Sequence, residues 1–187
     1  MFHVITGGSG SGKSEYAEQT IMEYMRNTSK EEGTDQKLYY IATMMPFGEE
    51  TKKKIARHRR MRAGKGFQTI ECYTDLREHL EPVISGTCES HLLLECMSNL
   101  TANELYAEEG AKEKAAEIIL EGISFLRERC RSLVVVTNEV FSESGEDSEE
   151  MKHYKKVLGT VNVQMADMAD RVTEVVYGIP VEVKGCR

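Results

Sequence analysis

Residues 7–14 read GGSGSGKS, an octet that admits few folds. It fits the pattern G-x-x-x-x-G-K-[ST], with Gly7, Gly12, Lys13 and Ser14 in the required places. The apolar run FHVIT (2–6) before it predicts a strand. The segment KSEYAEQTIMEYMR (13–26) after it predicts a helix with Ala17, Ile21, Tyr24 and Met25 on one face. Between the two, Gly7, Gly8, Ser9, Gly10, Ser11 and Gly12 let the backbone curl until its N–H groups converge on phosphate oxygens, and the helix N-terminus adds a favourable dipole. In that setting Lys13 reaches the β- and γ-phosphates and the Ser14 hydroxyl takes a place on Mg²⁺. A nucleoside triphosphate is the expected ligand.

The rest of the chain continues the alternation that such a loop requires. LYYIAT (38–43), FQTIECY (67–73), HLLLEC (91–96) and SLVVVTNEV (132–140) read as strands. Helical patterns start near Glu49 and near Asp75 and span 111–130, while 149–170 reads as two helices meeting near Gly159. TSKEEGTDQK (28–37) reads as a polar loop, and RVTEVVYGIPVEVK (171–184) closes as two strands around a turn. This βαβα order predicts a mainly parallel sheet with helices on both faces and a C-terminal antiparallel strand. At 187 residues the chain is sized for one domain, 1–187, and the acidic stretch SESGEDSEE (142–150) reads as an insertion within it.

A phosphate loop needs an acidic partner for its metal at the end of a nearby strand. Glu95, ending HLLLEC, and Glu139, ending the fifth strand, are the candidates, and Glu95 is preferred. The alternative for Glu139 is a strand-end carboxylate that caps a turn or the next helix.

The window Lys52–Lys65, KKKIARHRRMRAGK, holds eight basic residues and no acid in a chain of net charge −7. On a helix, Lys54, His58 and Arg62 share one face, with Ile55 and Met61 near enough to anchor it. Such a row of like charges calls for an anion against it. A neutral imidazole among phosphate-binding arginines is a nucleophile for phosphorus, and the arginines would stabilise charge in the transition state. A nucleic acid is not the expected partner, because the remaining 16 basic residues face 31 acidic ones and aromatic interleaving is lacking. No apolar run approaches a membrane span and no signal peptide is evident, so the cytoplasm is the expected compartment. Five cysteines without a CxxC pair read as reduced thiols.

ITGGSGSGKSEYAE, LYYIAT, IARHRRMR…FQTIE, LLLEC…SNL, VVVTNEV, VNVQMADMADRV and YGIPVEVK occur in this order. Together they resemble the bifunctional adenosylcobinamide kinase/adenosylcobinamide-phosphate guanylyltransferases of cobalamin biosynthesis, along nearly the whole chain. The resemblance implies a RecA-like P-loop fold, a cytoplasmic homotrimer, and two reactions using ATP and GTP with Mg²⁺. In the first, adenosylcobinamide is phosphorylated. In the second, GMP passes from GTP through a histidine to the phosphorylated corrinoid. It places the guanylylated histidine on His58. The nucleotide contacts fall on Gly7 to Ser14, on Ala42, Thr43 and Met44, on Arg59, Arg60, Met61 and Arg62, and on Glu71 and Glu95. Ser14 and Glu95 would hold the metal.

Three stretches depart from the family pattern. MMPFGEETKKK carries Gly48 and Thr51 where an Asp and a Met are expected, and Phe67 stands where a Trp is common. FSESGEDSEEMKHYKK replaces the G-x-G-I-V-P loop that usually follows TNEV. The nucleotide half of the pattern is intact, and the acceptor half is changed. A P-loop kinase without nucleotidyl transfer, and a non-catalytic nucleotide-dependent binding module, are the alternatives.

Overall fold

The computed structural model describes residues 1–32, 36–84, 89–142 and 146–185. Seven strands make one sheet: β1 (Phe2–Thr6), β2 (Lys37–Ala42), β3 (Gln68–Glu71), β4 (Ser90–Glu95), β5 (Ser132–Val136), β6 (Arg171–Val176) and β7 (Ile179–Lys184). Their order is β3-β2-β4-β5-β1-β6-β7, with β7 antiparallel to β6 and every other pair parallel. The expected mainly parallel sheet with a terminal antiparallel strand is what forms.

The helices divide unequally between the two faces. Helix α1 (Lys13–Glu32) covers one face, where Ala17 and Ile21 pack on Ile5, Tyr40, Leu93, Val134 and Val136. Tyr24 and Met25 sit half-buried at the margin of that cluster. The other face carries α3 (Leu76–Leu80), α4 (Met97–Tyr106), α5 (Ala115–Arg129) and α6 (Glu149–Met168), which bury Phe2, Val4, Ile41, Leu92, Leu94, Leu133 and Val135. Alternation along β4 and β5 thus feeds two cores, as expected for strands covered on both sides. Helix α2 (Gly48–Arg62) stands apart, and of its residues Arg62 alone is buried.

Several boundaries differ from the sequence reading. Helix α1 runs on to Glu32, through the first half of the expected loop, because T-S-K-E-E contains no helix breaker. Residues 149–168 form one helix rather than two. Gly159 is an interior position whose missing Cβ faces the Phe141 ring at 3.5 Å, an ordinary contact. The fifth strand stops at Val136, and T-N-E-V leaves the sheet as a loop. The helix expected over 111–130 opens as a 3-10 turn, Lys112–Lys114. Helix α4 has no counterpart in the sequence reading, since MSNLTANELY mixes residue types of middling propensity. Asp75 caps α3 by accepting from the Glu78 N–H, and that helix ends before Pro82. Cys72 and Cys96 are buried free thiols, Cys130 is half-buried, and Cys88 and Cys186 lie outside the described residues.

Close packing of α3 on α5 depends on Gly122, where a Cβ would lie 2.7 Å from Leu76 Cβ. Leu76 is fully buried and cannot yield cheaply. Gly122→Ala is therefore expected to destabilise the fold by about 1–2 kcal/mol, overpacking outweighing alanine's better helix propensity. Urea unfolding would register this as a lower midpoint at constant m value.

Two buried histidines make the fold acid-sensitive. His3 bridges Tyr24 OH (2.9 Å) and Thr173 Oγ1 (2.8 Å), and burial, then Arg171, lowers its pKa from 6.5 to about 4 against an opposing Glu182. His91 is likewise lowered to about 4 by burial, then by Arg131 and the N-terminal amine. Both folded values lie below the unfolded one, so the unfolded chain binds more protons as pH falls. Stability is expected to decline from pH 6.5 towards pH 4, by up to roughly 3 kcal/mol per histidine. Urea midpoints between pH 7 and 5 would show the fall, and His3→Gln with His91→Gln should flatten it.

Candidate active site

The C-terminal ends of the parallel strands gather the site. Residues 7–12 link β1 to α1 and keep their backbone close to the neighbouring strand: a Cβ on Gly7 would lie 2.5 Å from the Val175 carbonyl oxygen. Lys13 is buried in the first turn of α1 and donates to the Gly8 carbonyl oxygen at 2.9 Å. Burial lowers its pKa, with Cys96 and Glu95 opposing.

Ser14 donates a short hydrogen bond to Glu95 Oε1, although β5 lies between β1 and β4 in the sheet. The second carboxylate oxygen, Glu95 Oε2, accepts from Tyr40 OH at 2.9 Å. Burial, then the Glu95 charge, pushes the Tyr40 pKa well above its usual range, so the phenol remains a donor. Glu139 has a different setting. Its Oε1 accepts from the N–H groups of Phe141 (2.8 Å) and Ser142 (3.1 Å), and its own N–H donates to the Gly7 carbonyl. It caps the turn after β5, the alternative considered for it. Mg²⁺ takes oxygen ligands, one or two from side chains and the rest from phosphate and water. The Ser14 hydroxyl and Glu95 carboxylate, already in contact, fit that donor set. Among the described residues no cluster of three or more His, Cys, Asp or Glu offers another metal site.

A cleft opens beside Glu95, and α2 supplies its other wall through Ile55, His58, Arg59 and Arg62. Tyr40, Ala42, Met44 and Glu71 also line it. The Arg62 guanidinium lies 3.6 Å above the centre of the Tyr40 ring and reaches Thr69 Oγ1 at 3.4 Å. Phe67 meets the same ring edge-on, with centroids 6.0 Å apart. These aromatic and cation contacts seat the C-terminal end of α2, while Ile55 and Met61, expected as anchors, are only half-buried. The loop beyond is tied down by Lys65 Nζ, 2.5 Å from the buried Glu18 carboxylate on α1.

The basic window is partly neutralised by the chain itself. Lys52 pairs with Glu49 and Lys54 with Glu50, each at 3.0 Å, and Arg59 pairs closely with Glu71. The negative charge expected against this row is supplied in part by Glu49, Glu50 and Glu71. Lys54, placed on the His58 face by periodicity, is engaged with Glu50 and does not line the cleft. Glu71 is held below the ordinary carboxylate range by the Tyr73 hydroxyl and by Arg59. Arg60 and Met61 also do not line the cleft, because the helical repeat turns them from the side occupied by 55, 58, 59 and 62.

Thr43 is buried, and its hydroxyl both donates to the Cys96 carbonyl and accepts from the Cys96 N–H, each at 2.7 Å. It holds the ends of β2 and β4 together, leaving Ala42 and Met44 to face the cleft. Asn103 of α4 reinforces this, donating to the carbonyls of Thr43 (2.8 Å) and Tyr73 (2.9 Å). His58 is half-buried, and its Nδ1 is enclosed without a hydrogen-bond partner. Sequence reasoning missed Tyr40 and Asn103, and also Asn99, which lines the cleft from α4. Tyr40 could have been found only from the β2–β4 register, which sets Ala42 opposite Glu95 and Tyr40 opposite Leu93 on one face.

The chain matches the family model described as cobinamide kinase / cobinamide phosphate guanyltransferase over residues 3–183. It is 30% identical over 197 residues to the bifunctional adenosylcobalamin biosynthesis protein CobU of Escherichia coli, spanning 98% of this chain and 100% of that one. The CobU protein of Salmonella typhimurium gives the same values. The bifunctional adenosylcobalamin biosynthesis protein CobP of Pseudomonas aeruginosa is 28% identical, with 99% and 98% covered. Among solved structures, the KaiC-like protein PH0186 of Pyrococcus horikoshii superposes with a TM-score of 0.50 at 12% identity, covering 92% of this chain and 71% of that one. The last likeness bears on fold alone, and the fold is that of a RecA-like P-loop protein. With the family pattern matched from the first strand to the last, the chain belongs to the cobinamide kinase / cobinamide phosphate guanyltransferase family.

Proposed function

We propose that the chain, as one nucleotide-binding domain spanning 1–187, phosphorylates adenosylcobinamide and then transfers GMP to the product, forming adenosylcobinamide-GDP. The observation that carries this reading is that His58, Arg59 and Arg62 share a cleft with Glu95, whose carboxylate is hydrogen-bonded to Ser14 of the phosphate loop. A phosphorus atom in that cleft meets a nucleophile, cations and the metal-side carboxylate together.

In the kinase step the corrinoid hydroxyl oxygen attacks the γ-phosphorus of ATP or GTP. The bond from γ-phosphorus to the bridging oxygen breaks, the nucleoside diphosphate leaves, and the hydroxyl proton passes to solvent. Lys13 and the loop N–H groups hold the β- and γ-phosphates in line. Ser14 and Glu95 would hold Mg²⁺, which offsets charge on the transferring phosphoryl group. In the second step a His58 ring nitrogen attacks the α-phosphorus of GTP. An N–P bond forms, pyrophosphate departs with the electrons of the broken P–O bond, and Arg59 and Arg62 stabilise the pentacoordinate oxygens. The corrinoid phosphate oxygen then attacks the same phosphorus, the N–P bond breaks, and His58 is regenerated. The buried, unpartnered Nδ1 of His58 supports the assignment, since such a group is costly unless a ligand satisfies it. The reading includes a cytoplasmic homotrimer of 21.1 kDa chains, supported by the family resemblance, and sedimentation would test the trimer.

The deciding experiment is incubation with GTP labelled at the α-phosphate. Protein-bound label that is acid-labile and base-stable, formed with release of one pyrophosphate per label, is the expected result. Phosphorylation of an acceptor without any protein-bound label would instead leave a P-loop kinase.

A further inference from the structure

Beside the phosphate loop, next to the β6–β7 turn, a second recess is lined by Gly8, Ser11, Glu139, Glu174 and Tyr177. Tyr177 and Gly178 are the two residues of the turn joining β6 to β7, and both have positive φ, 52° and 79°. Two-residue turns of this hand are cheapest with Asn-Gly or Gly-Gly, so a tyrosine here carries backbone strain. It gains nothing in return from packing, being 93% exposed. The turn is fixed to the loop: the Gly178 N–H donates to the Ser11 carbonyl at 2.8 Å. A strained, solvent-facing aromatic ring is thus held beside the site where phosphates bind.

The polarity of a bound triphosphate follows from charge. Ser14 and Glu95 mark the metal side, where the β- and γ-phosphates gather, and the cations Arg59 and Arg62 lie beyond it. The opposite side presents the Glu174 carboxylate on β6, which repels phosphate and accepts hydrogen bonds from sugar hydroxyls or base amines. The neutral nucleoside end therefore belongs on the β6–β7 side. There Tyr177 is the aromatic residue lining the recess.

We propose that Tyr177 is the stacking platform for the base of the nucleoside triphosphate that donates its γ-phosphate in the kinase step, with Glu174 as the adjacent acceptor. The proposal rests on the reading of residues 7–14 as the triphosphate loop. It also separates two nucleotide poses: this one directs the γ-phosphate towards Glu95, whereas GMP transfer needs the α-phosphate at His58.

The chain contains no tryptophan, so Tyr177→Trp introduces a single reporter. Titration with MgATP and with MgGTP is expected to change its emission saturably for at least one nucleotide, while inorganic tripolyphosphate, which has no base, leaves it unchanged. Tyr177→Ala is expected to raise the KM for triphosphate in the kinase step by about 5- to 100-fold, with Tyr177→Phe near wild type. The variants should compete equally for tripolyphosphate, and label transfer from α-labelled GTP should be unaltered. An unchanged KM in Tyr177→Ala overturns the proposal. So does an equal loss of tripolyphosphate affinity, which marks a structural effect on the loop. A change in assembly mass that accounts for the loss overturns it too, by making Tyr177 an interface residue. If wild type binds neither triphosphate nor tripolyphosphate, the phosphate-loop reading has failed and this inference falls with it.

Discussion

Lys13→Ala is expected to abolish tight triphosphate binding and to lower both proposed activities together. Lys13 is the sole cation of the GGSGSGKS loop, and it is buried against the loop's own backbone with Nζ 2.9 Å from the Gly8 carbonyl. A bound phosphate would replace that carbonyl as partner in a charge-assisted bond. Removing one member of such a desolvated pair costs about 2–5 kcal/mol, which corresponds to a loss of roughly 30- to 5,000-fold in affinity. The ligand-free protein should behave oppositely. Burial depresses the Lys13 pKa, which means that the charged form is disfavoured in the folded state. The alanine variant should thus unfold no earlier than wild type without nucleotide, while losing the stabilisation that nucleotide confers on wild type. Calorimetric titration with MgGTP, paired with thermal melts with and without nucleotide, checks both parts. Retained affinity would remove the phosphate loop from the mechanism. A lower melting temperature without ligand would assign Lys13 a structural role.

The extent to which the site could be read from sequence depends on how local each interaction is. The phosphate loop was fully legible, since strand, glycines, Lys13, Ser14 and helix are contiguous in the chain. The α2 segment was legible as a basic helix. Its relation to the loop was not, because Lys65 meets Glu18 and Arg62 meets Tyr40 through separate strands and turns. Periodicity put Lys54 on the His58 face, yet Glu50 at one turn's distance engages it. Glu95 and Glu139 looked alike as strand-end acids. Glu95 was preferred, but what separates the two is tertiary: the Glu95 carboxylate meets Ser14 across the intervening β5, while Glu139 closes its own turn. Helix α4 was invisible for a related reason. Its stability comes from burying Met97, Leu100 and Leu105 and from the Glu104 carboxylate, which accepts from the N–H groups of Asp75 and Ala111. Those are tertiary contacts, and they override weak intrinsic propensity.

His58→Ala is expected to separate the two activities: protein labelling from α-labelled GTP falls by at least about 10³-fold, while the kinase step stays within a few-fold of wild type. The separation follows from where the residue sits. His58 is half-buried on a helix whose one buried side chain is Arg62, so truncation opens no core cavity and leaves the α2 seat on Tyr40 intact. In the kinase pose the reacting atom is the γ-phosphorus, held by Lys13 and the loop. In the transfer pose it is the α-phosphorus, and no other histidine can take over. None of the other four lines the cleft: His3 and His91 are buried at the opposite ends of their strands, His79 is on α3 and His153 is on α6. Arg62→Ala should behave differently, lowering transfer and also loosening α2, because the guanidinium is at once a cleft cation and the contact that seats the helix. Comparison of the two variants therefore tests chemistry against positioning. Stable label on His58→Ala would transfer the nucleophile to another residue. A kinase loss as deep as the transferase loss would mean that His58 acts as a general phosphate contact, and that one pose serves both reactions.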